Sequence, residues 1–329
     1  MQNNSIDAYH MNLLSVDSLE VFLGPVDSET RVLRDISFSI QKGETLGIVG
    51  ESGCGKSMTA LAISGLLPVP HRLMGSIAFN GQRIEQGGLD AMRPYRGKKI
   101  AMIFQEPMTA LNPVLTVGFQ IAEMLVVHEH QSSTQAYQNA IELLAQVGIS
   151  DPAQRAKAYP HELSGGMRQR VMIAIAMACR PDLLIADEPT TALDVSVQAQ
   201  ILDLMLKLQK DYGTALMFIS HNFGVISEMA DRVMVMYAGK VVEEGQTAEV
   251  LRNPQHPYTR GLMKALPDVS RRVAELNVIQ GQVPALARLP KGCSFAPRCT
   301  EANENCLKSE PHLKISLTSP TTKVACIHA

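Results

Sequence analysis

Five short apolar runs stand out along the chain, at residues 45–50 (TLGIVG), 99–105 (KIAMIFQ), 183–187 (LLIAD), 215–220 (ALMFIS) and 233–238 (VMVMYA). They are too short and too uniformly apolar for amphipathic helices, so they predict strands buried on both faces. The stretches between them carry a different period. Tyr137, Ala140, Ile141, Leu144 and Val147 recur at intervals of three and four, with Ser132 or Ser133 as N-cap and Gly148 as stop. A second helix is expected over residues 197–209, with Ile201, Leu204 and Leu208 on its apolar face. Strands spaced by helices imply an α/β fold with a largely parallel sheet covered on both faces.

Residues 106–163 lie between the second and third strands and read as an inserted helical subdomain. After Gly245, Pro254, Pro257, Pro267, Pro284, Pro290 and Pro297 break any long helix. A short helix over 258–266 is expected, followed by a small irregular C-terminal extension.

The chain has 329 residues, enough for one large domain and an appendage. Thirty basic against 32 acidic side chains leave a formal charge of −2, which gives no general attraction to nucleic acid. The first twenty residues lack a basic segment followed by an apolar run, so export is not expected. The longest uncharged apolar run, residues 171–179, falls well short of the ~20 needed to cross a bilayer. Any membrane role is expected to come through a partner.

The first strand leads into Gly50, Glu51, Ser52, Gly53, Cys54, Gly55, Lys56 and Ser57, which fit G-x-x-x-x-G-K-[ST] between a strand and a helix. Glycines allow backbone N–H groups to converge on an anion, and the helix N-terminus adds partial positive charge. Lys56 is suited to neutralise the β- and γ-phosphates of a nucleotide, and Ser57 to ligate Mg²⁺. Cys54, beside Lys56 and a helix N-terminus, is expected to be a reactive thiolate that MgATP protects. The third strand ends in Asp187 and Glu188: Asp187 can hold Mg²⁺ or its water, and Glu188 can polarise the attacking water. Leu163-Ser164-Gly165-Gly166-Met167 reads as a capped helix start with free N–H groups, either a second anion site or an ordinary cap.

From about Leu13 to Leu266 the ordered motifs resemble the ATP-binding subunits of ABC transporters, whose LSGGQ signature is LSGGM here. The resemblance implies a P-loop NTPase (RecA-like) core with the helical insertion, as an ATPase domain over residues 13–266 and an extension over 267–329. It places Gln105 of IFQEP in the Q-loop, as a catalytic and Mg²⁺ contact, Asp194 of Ala192-Leu193-Asp194 in the D-loop, and His221 of ISHN as the switch histidine. It also implies that two ATPase subunits close head to tail, so that Ser164, Gly165 and Gly166 bind the γ-phosphate held by the partner. Phe22 is an approximate match for the aromatic that stacks on adenine.

EPMTALNP at 106–113, HPYTRGL at 256–262 and the cysteine-bearing tail resemble more narrowly the ATPases of dipeptide and oligopeptide importers. Importers of nickel, glutathione and opines share much of this pattern. The expected partners are two transmembrane permease subunits, a second homologous ATPase and, through the complex, an extracytoplasmic binding protein. The expected location is the cytoplasmic face of the inner membrane. A soluble ABC ATPase acting on DNA or ribosomes is the alternative, but it favours a coiled-coil insertion or two fused halves, and the chain has neither.

Cys293, Cys299, Cys306 and Cys326 crowd into the last forty residues in the pattern C-x5-C-x6-C-x19-C. Four thiolates suit a [4Fe–4S] cluster or zinc, and the spacing matches neither the short-paired zinc pattern nor the ferredoxin patterns closely. Disulfides are a third option. The resemblance to peptide-importer ATPases, some of which carry a cluster in this tail, favours iron–sulfur.

Overall fold

The computed structural model describes residues 12–86, 88–106, 110–191, 193–265 and 279–329. All five expected strands form and lie in one sheet: β3 (Thr45–Val49), β6 (Ile100–Ile103), β7 (Leu183–Asp187), β8 (Ala215–Ser220) and β9 (Arg232–Tyr237). Their order is β9-β3-β8-β7-β6 and every neighbouring pair is parallel. Alternate residues feed two cores. Ile185, Met217, Ile219, Met234 and Met236 face one; Leu184, Ala186, Leu216, Phe218, Val233 and Val235 face the other. Both sets are buried, which is why these segments read as continuous apolar runs rather than as alternation.

The two cores are covered differently. On the first face lie α1 (Lys56–Ser64) and an antiparallel sheet, order β2-β1-β4-β5, formed by β1 (Leu14–Leu23), β2 (Thr30–Ile40), β4 (His71–Phe79) and β5 (Gln82–Arg83). The sequence pattern did not predict this sheet. Leu14 and Val16 are buried, then Asp17 and Ser18 are exposed, and the alternation resumes out of phase at Leu19 and Val21. Ser18 has φ 47° and the register with both neighbouring strands shifts there. Such a bulge re-aims the strand and erases the period-two signal.

On the other face lie α2 (Val117–Glu129), α3 (Ser133–Gln146), α4 (Gly165–Met177) and α5 (Val195–Tyr212). Ser132 caps α3, its side chain accepting the Gln135 N–H at 3.3 Å. Asp194 caps α5, which therefore begins two residues before the expected start and runs to Gly213, a left-handed stop at φ 65°. The last apolar segment forms α8 (Pro257–Lys264), after α6 (Phe223–Met229) and α7 (Thr247–Arg252). Residue 266 and the start of the extension, to 278, lie outside the described residues.

The extension is not an independent appendage. β10 (Lys240–Gln246) pairs antiparallel with β9, and β12 (Lys323–Val324) pairs antiparallel with β10, with β11 (Lys314–Ile315) at the outer edge. Residues from the end of the chain thus continue the central sheet. Glu310 fixes the attachment: it accepts from Arg34 at 2.7 and 2.8 Å and from Lys240 at 2.8 Å. Among the described residues no helix is long and apolar enough to cross a membrane.

Candidate nucleotide site

The glycine loop leaves the C-terminal end of β3 and enters α1 at Lys56, at a position where parallel sheets bind ligands. Its glycines are required by close approach. A Cβ on Gly50 would lie 2.3 Å from the Met236 carbonyl oxygen, and one on Gly55, at φ 108°, would lie 2.8 Å from Leu33. Lys56 is buried and its ammonium folds back to donate to the carbonyls of Gly50 at 2.8 Å and Glu51 at 3.2 Å.

The two carboxylates at the end of β7 meet this loop. Asp187 is buried, and one of its oxygens, Oδ1, has no hydrogen-bond partner. Burial raises its pKa, while a hydrogen bond from Ser57 opposes the rise. A serine hydroxyl beside an unsatisfied buried carboxylate oxygen is a donor set that suits Mg²⁺. Glu188 follows Asp187 with a left-handed backbone, at φ 47°. Its carboxylate sits 3.8 Å from the Lys56 ammonium, accepts from Gln105 at 3.2 Å and lies 3.2 Å from His221 Nδ1. The structure therefore brings together Lys56, Ser57, Asp187, Glu188, Gln105 and His221 from four strand ends. Thr191 joins them, donating to Glu188 Oε2 at 3.0 Å, and no sequence pattern pointed to it.

The LSGGM segment forms a separate group. Ser164 caps α4, accepting the Met167 N–H at 3.3 Å. A Cβ on Gly166 would lie 2.8 Å from Val197 in α5, so this glycine lets the two helix starts pack closely. Asp194 caps α5 by accepting from Ser196 and Val197, bonds that hold its pKa low. Among the described residues no hydrogen bond or ion pair joins Ser164, Gly165, Gly166 or Asp194 to Lys56, Asp187 or Glu188. Ala192 and residues 107–109 lie outside the described residues.

Two expectations about side chains change. Cys54 is buried, 1% exposed, and desolvation raises its pKa despite Lys56. The neighbouring charge loses to burial, which disfavours the reactive thiolate that position alone suggests. The Phe22 ring is covered by the Arg72 guanidinium, 3.9 Å from its centroid, and the Arg31 guanidinium stands 6.0 Å away. One face of the proposed adenine platform is thus already taken.

Cys293, Cys299, Cys306 and Cys326 are free, and all four line one narrow cavity with His256, Phe295 and His328. Cys306 Sγ lies 3.5 Å from His328 Nε2. Burial pushes the Cys293, Cys299 and Cys326 thiols up. Among the described residues no group of three or more His, Cys, Asp or Glu is placed to hold a metal ion, so the expected iron–sulfur or zinc site is gathered but not formed as a ligand set.

A P-loop joined to two carboxylates across a parallel sheet, with a helical layer on one face and an antiparallel sheet on the other, defines a nucleotide-hydrolysing cassette. Residues 33–191 match the family model described as ABC transporter, and residues 242–306 match that of the oligopeptide/dipeptide transporter C-terminal region. A putative peptide import ATP-binding protein of Brucella melitensis is 51% identical over 314 residues, covering 92% of this chain and 93% of the relative. The dipeptide transport ATP-binding protein DppD of Escherichia coli is 49% identical, covering 93% of this chain and 94% of the relative. The oligopeptide transport ATP-binding protein OppD of Salmonella typhimurium is 46% identical, covering 95% and 93%. Among solved structures, the dimeric post-hydrolysis state of the ATP-binding cassette MJ0796 with ADP and phosphate matches with TM-score 0.64 at 26% identity, covering 71% of this chain and 98% of that one. The chain belongs to the ABC transporter ATP-binding family, and it is an ATPase of that class.

Proposed function

We propose that the chain is the ATP-hydrolysing subunit of an importer of dipeptides or oligopeptides, seated on the cytoplasmic face of the inner membrane. It energises two transmembrane permease subunits, which take substrate from an extracytoplasmic binding protein, and it pairs with a second homologous ATPase. The match of residues 242–306 to the oligopeptide/dipeptide transporter C-terminal region carries this reading, because a general ABC cassette does not require that segment. We assign residues 13–266 to the ATPase domain and 267–329 to the extension.

In this reading Gly50 to Ser57 cradle the triphosphate, with Lys56 leaving its carbonyl partners for the β- and γ-phosphates. Ser57, Asp187 and Gln105 would hold Mg²⁺, which would supply charge neutralisation to the phosphate groups. Glu188 orients the attacking water, and Gln105, His221 and Thr191 hold its carboxylate in place. Ser164, Gly165 and Gly166 present the N-terminus of α4 to a γ-phosphate held by the other subunit, and Asp194 shapes that interface. Their separation from the Lys56 cluster supports such a composite arrangement. For the extension we infer a [4Fe–4S] cluster on Cys293, Cys299, Cys306 and Cys326, with zinc as the alternative. What supports it is the convergence of four free thiols on one cavity.

Pull-down from the native membrane tests the assignment, together with uptake of labelled di- and oligopeptides by cells lacking the chain. Recovery of two polytopic permeases and restoration of uptake by the wild type are expected. Recovery of ribosomes or DNA without permeases contradicts it. Metal and acid-labile sulfide analysis after anaerobic purification decides the extension: about four irons and four sulfides per chain are expected for a cluster. One zinc without sulfide establishes the alternative.

A further inference from the structure

The P-loop is gripped from outside the ATPase motifs. Arg298, one residue before Cys299, makes a two-point contact with the carboxylate of Glu51, Nη1 to Oε2 at 2.7 Å and Nη2 to Oε1 at 3.0 Å. The Arg298 side chain is only 4% exposed. Its Nε and Nη2 also donate to the carbonyls of Gln280 at 3.0 Å and Ile279 at 3.3 Å, so the guanidinium fork is fixed on the extension before it reaches the loop. The Glu51 backbone is held as well, its N–H donating to the Tyr258 hydroxyl at 2.9 Å.

Tyr258 is itself wedged in place. Its ring centroid lies 4.7 Å from that of Tyr237 and 5.3 Å from that of Phe295, and Tyr237 and Phe295 are 5.2 Å apart. All three are buried. Phe295 and Arg298 belong to the same short segment that carries Cys293 and Cys299. The second residue of the phosphate loop is thus pinned at its N–H and its carboxylate by residues from the last quarter of the chain, while its carbonyl faces Lys56.

We propose that Arg298 is a positioning residue: its grip on Glu51 holds the phosphate loop in its anion-ready shape and makes nucleotide affinity depend on the folded cysteine-bearing extension. The proposal rests on reading Gly50 to Ser57 as the ATP site. A loop containing Gly50, Gly53 and Gly55 has wide conformational freedom when unrestrained. A two-point charge-assisted pair restricts it directionally as well as energetically. When a fraction of molecules leaves the competent shape, apparent affinity falls by that fraction. Holding the extension on the domain does not require this contact, because Glu310 with Arg34 and Lys240 and the pairing of β12 with β10 anchor it separately.

The test uses the full-length chain, with MgATP dissociation constants from displacement of a fluorescent ATP analogue and thermal unfolding as the check on folding. Arg298→Gln and Glu51→Gln are each expected to weaken MgATP binding about tenfold, and the double variant no further than either single one, since both remove one interaction. Arg298→Lys, which keeps the charge without the fork, is expected to recover part of the affinity. If Arg298→Gln does not fold, Arg298→Lys and Glu51→Gln, alone and combined, carry the same comparison. Folded Arg298 variants that bind MgATP within twofold of the wild type overturn the proposal, as do effects that simply add in the double variant. Lys56→Ala separates this failure from that of the underlying reading: if it too binds normally, the loop is not the ATP site.

Discussion

Glu188→Gln isolates the chemical step from nucleotide binding. The substitution keeps size and one acceptor oxygen, so Thr191 and Gln105 retain a partner, but the charge facing Lys56 disappears. At the observed 3.8 Å that pair attracts by roughly 4 kcal/mol at an effective dielectric near 20, most of which desolvation of the two buried groups offsets. Removing the carboxylate therefore leaves Lys56 freer for phosphate, and MgATP affinity is expected to be unchanged or somewhat tighter. The water loses its anionic acceptor, for which the expected cost is about 3–4 kcal/mol, a fall in turnover of about 10²–10³-fold. Phosphate release by the transporter in membrane vesicles, alongside MgATP binding to the purified chain, measures both quantities. Turnover at this subunit's own site within twofold of the wild type refutes the role of Glu188. An equal loss of binding refutes the separation of roles.

Three further outcomes follow from the same geometry. Gly50→Ala places a Cβ 2.3 Å from the Met236 carbonyl oxygen, so destabilisation of about 1–3 kcal/mol is expected, with a lower Tm and weaker MgATP binding; an unshifted Tm contradicts the packing argument. Cys54, with its pKa raised by burial, should react with an alkylating reagent at least about 100-fold more slowly in the folded chain than after unfolding, as read by mass spectrometry; fast labelling of the folded chain restores the thiolate reading. His256 is fully buried, and desolvation lowers its pKa from 6.5 to about 3, while its Nδ1 accepts the Tyr258 N–H at the start of α8. The unfolded chain binds the proton first, so the neutral imidazole favours folding fully above pH 6.5, and stability falls between pH 6.5 and about 3. His256→Asn keeps a capping acceptor without titrating, and urea unfolding at pH 7 and 5 should show a shallower loss for the variant by about 1–2 kcal/mol; equal slopes contradict the assignment.

By itself the sequence determined the five parallel strands, because each is buried on both faces and so carries a continuous apolar signature that needs no tertiary information. It also determined the glycine loop after β3 and the two carboxylates at the end of β7, since local chain geometry imposes the spacing of Gly50, Gly55 and Lys56 and the terminal placement of Asp187 and Glu188. The antiparallel sheet was hidden by the bulge at Ser18, which shifts the alternation of β1 out of phase. Only the tertiary structure decided the burial of Cys54, because desolvation depends on what covers a side chain rather than on its neighbours in sequence. The same holds for Thr191 at Glu188, and for Arg298, which is 247 positions from Glu51 and yet forms a two-point pair with it. Contacts of that kind leave no periodic trace in the chain: they arise where strands and turns far apart in sequence are packed side by side, and the sheet order that brings them together is a property of the whole fold.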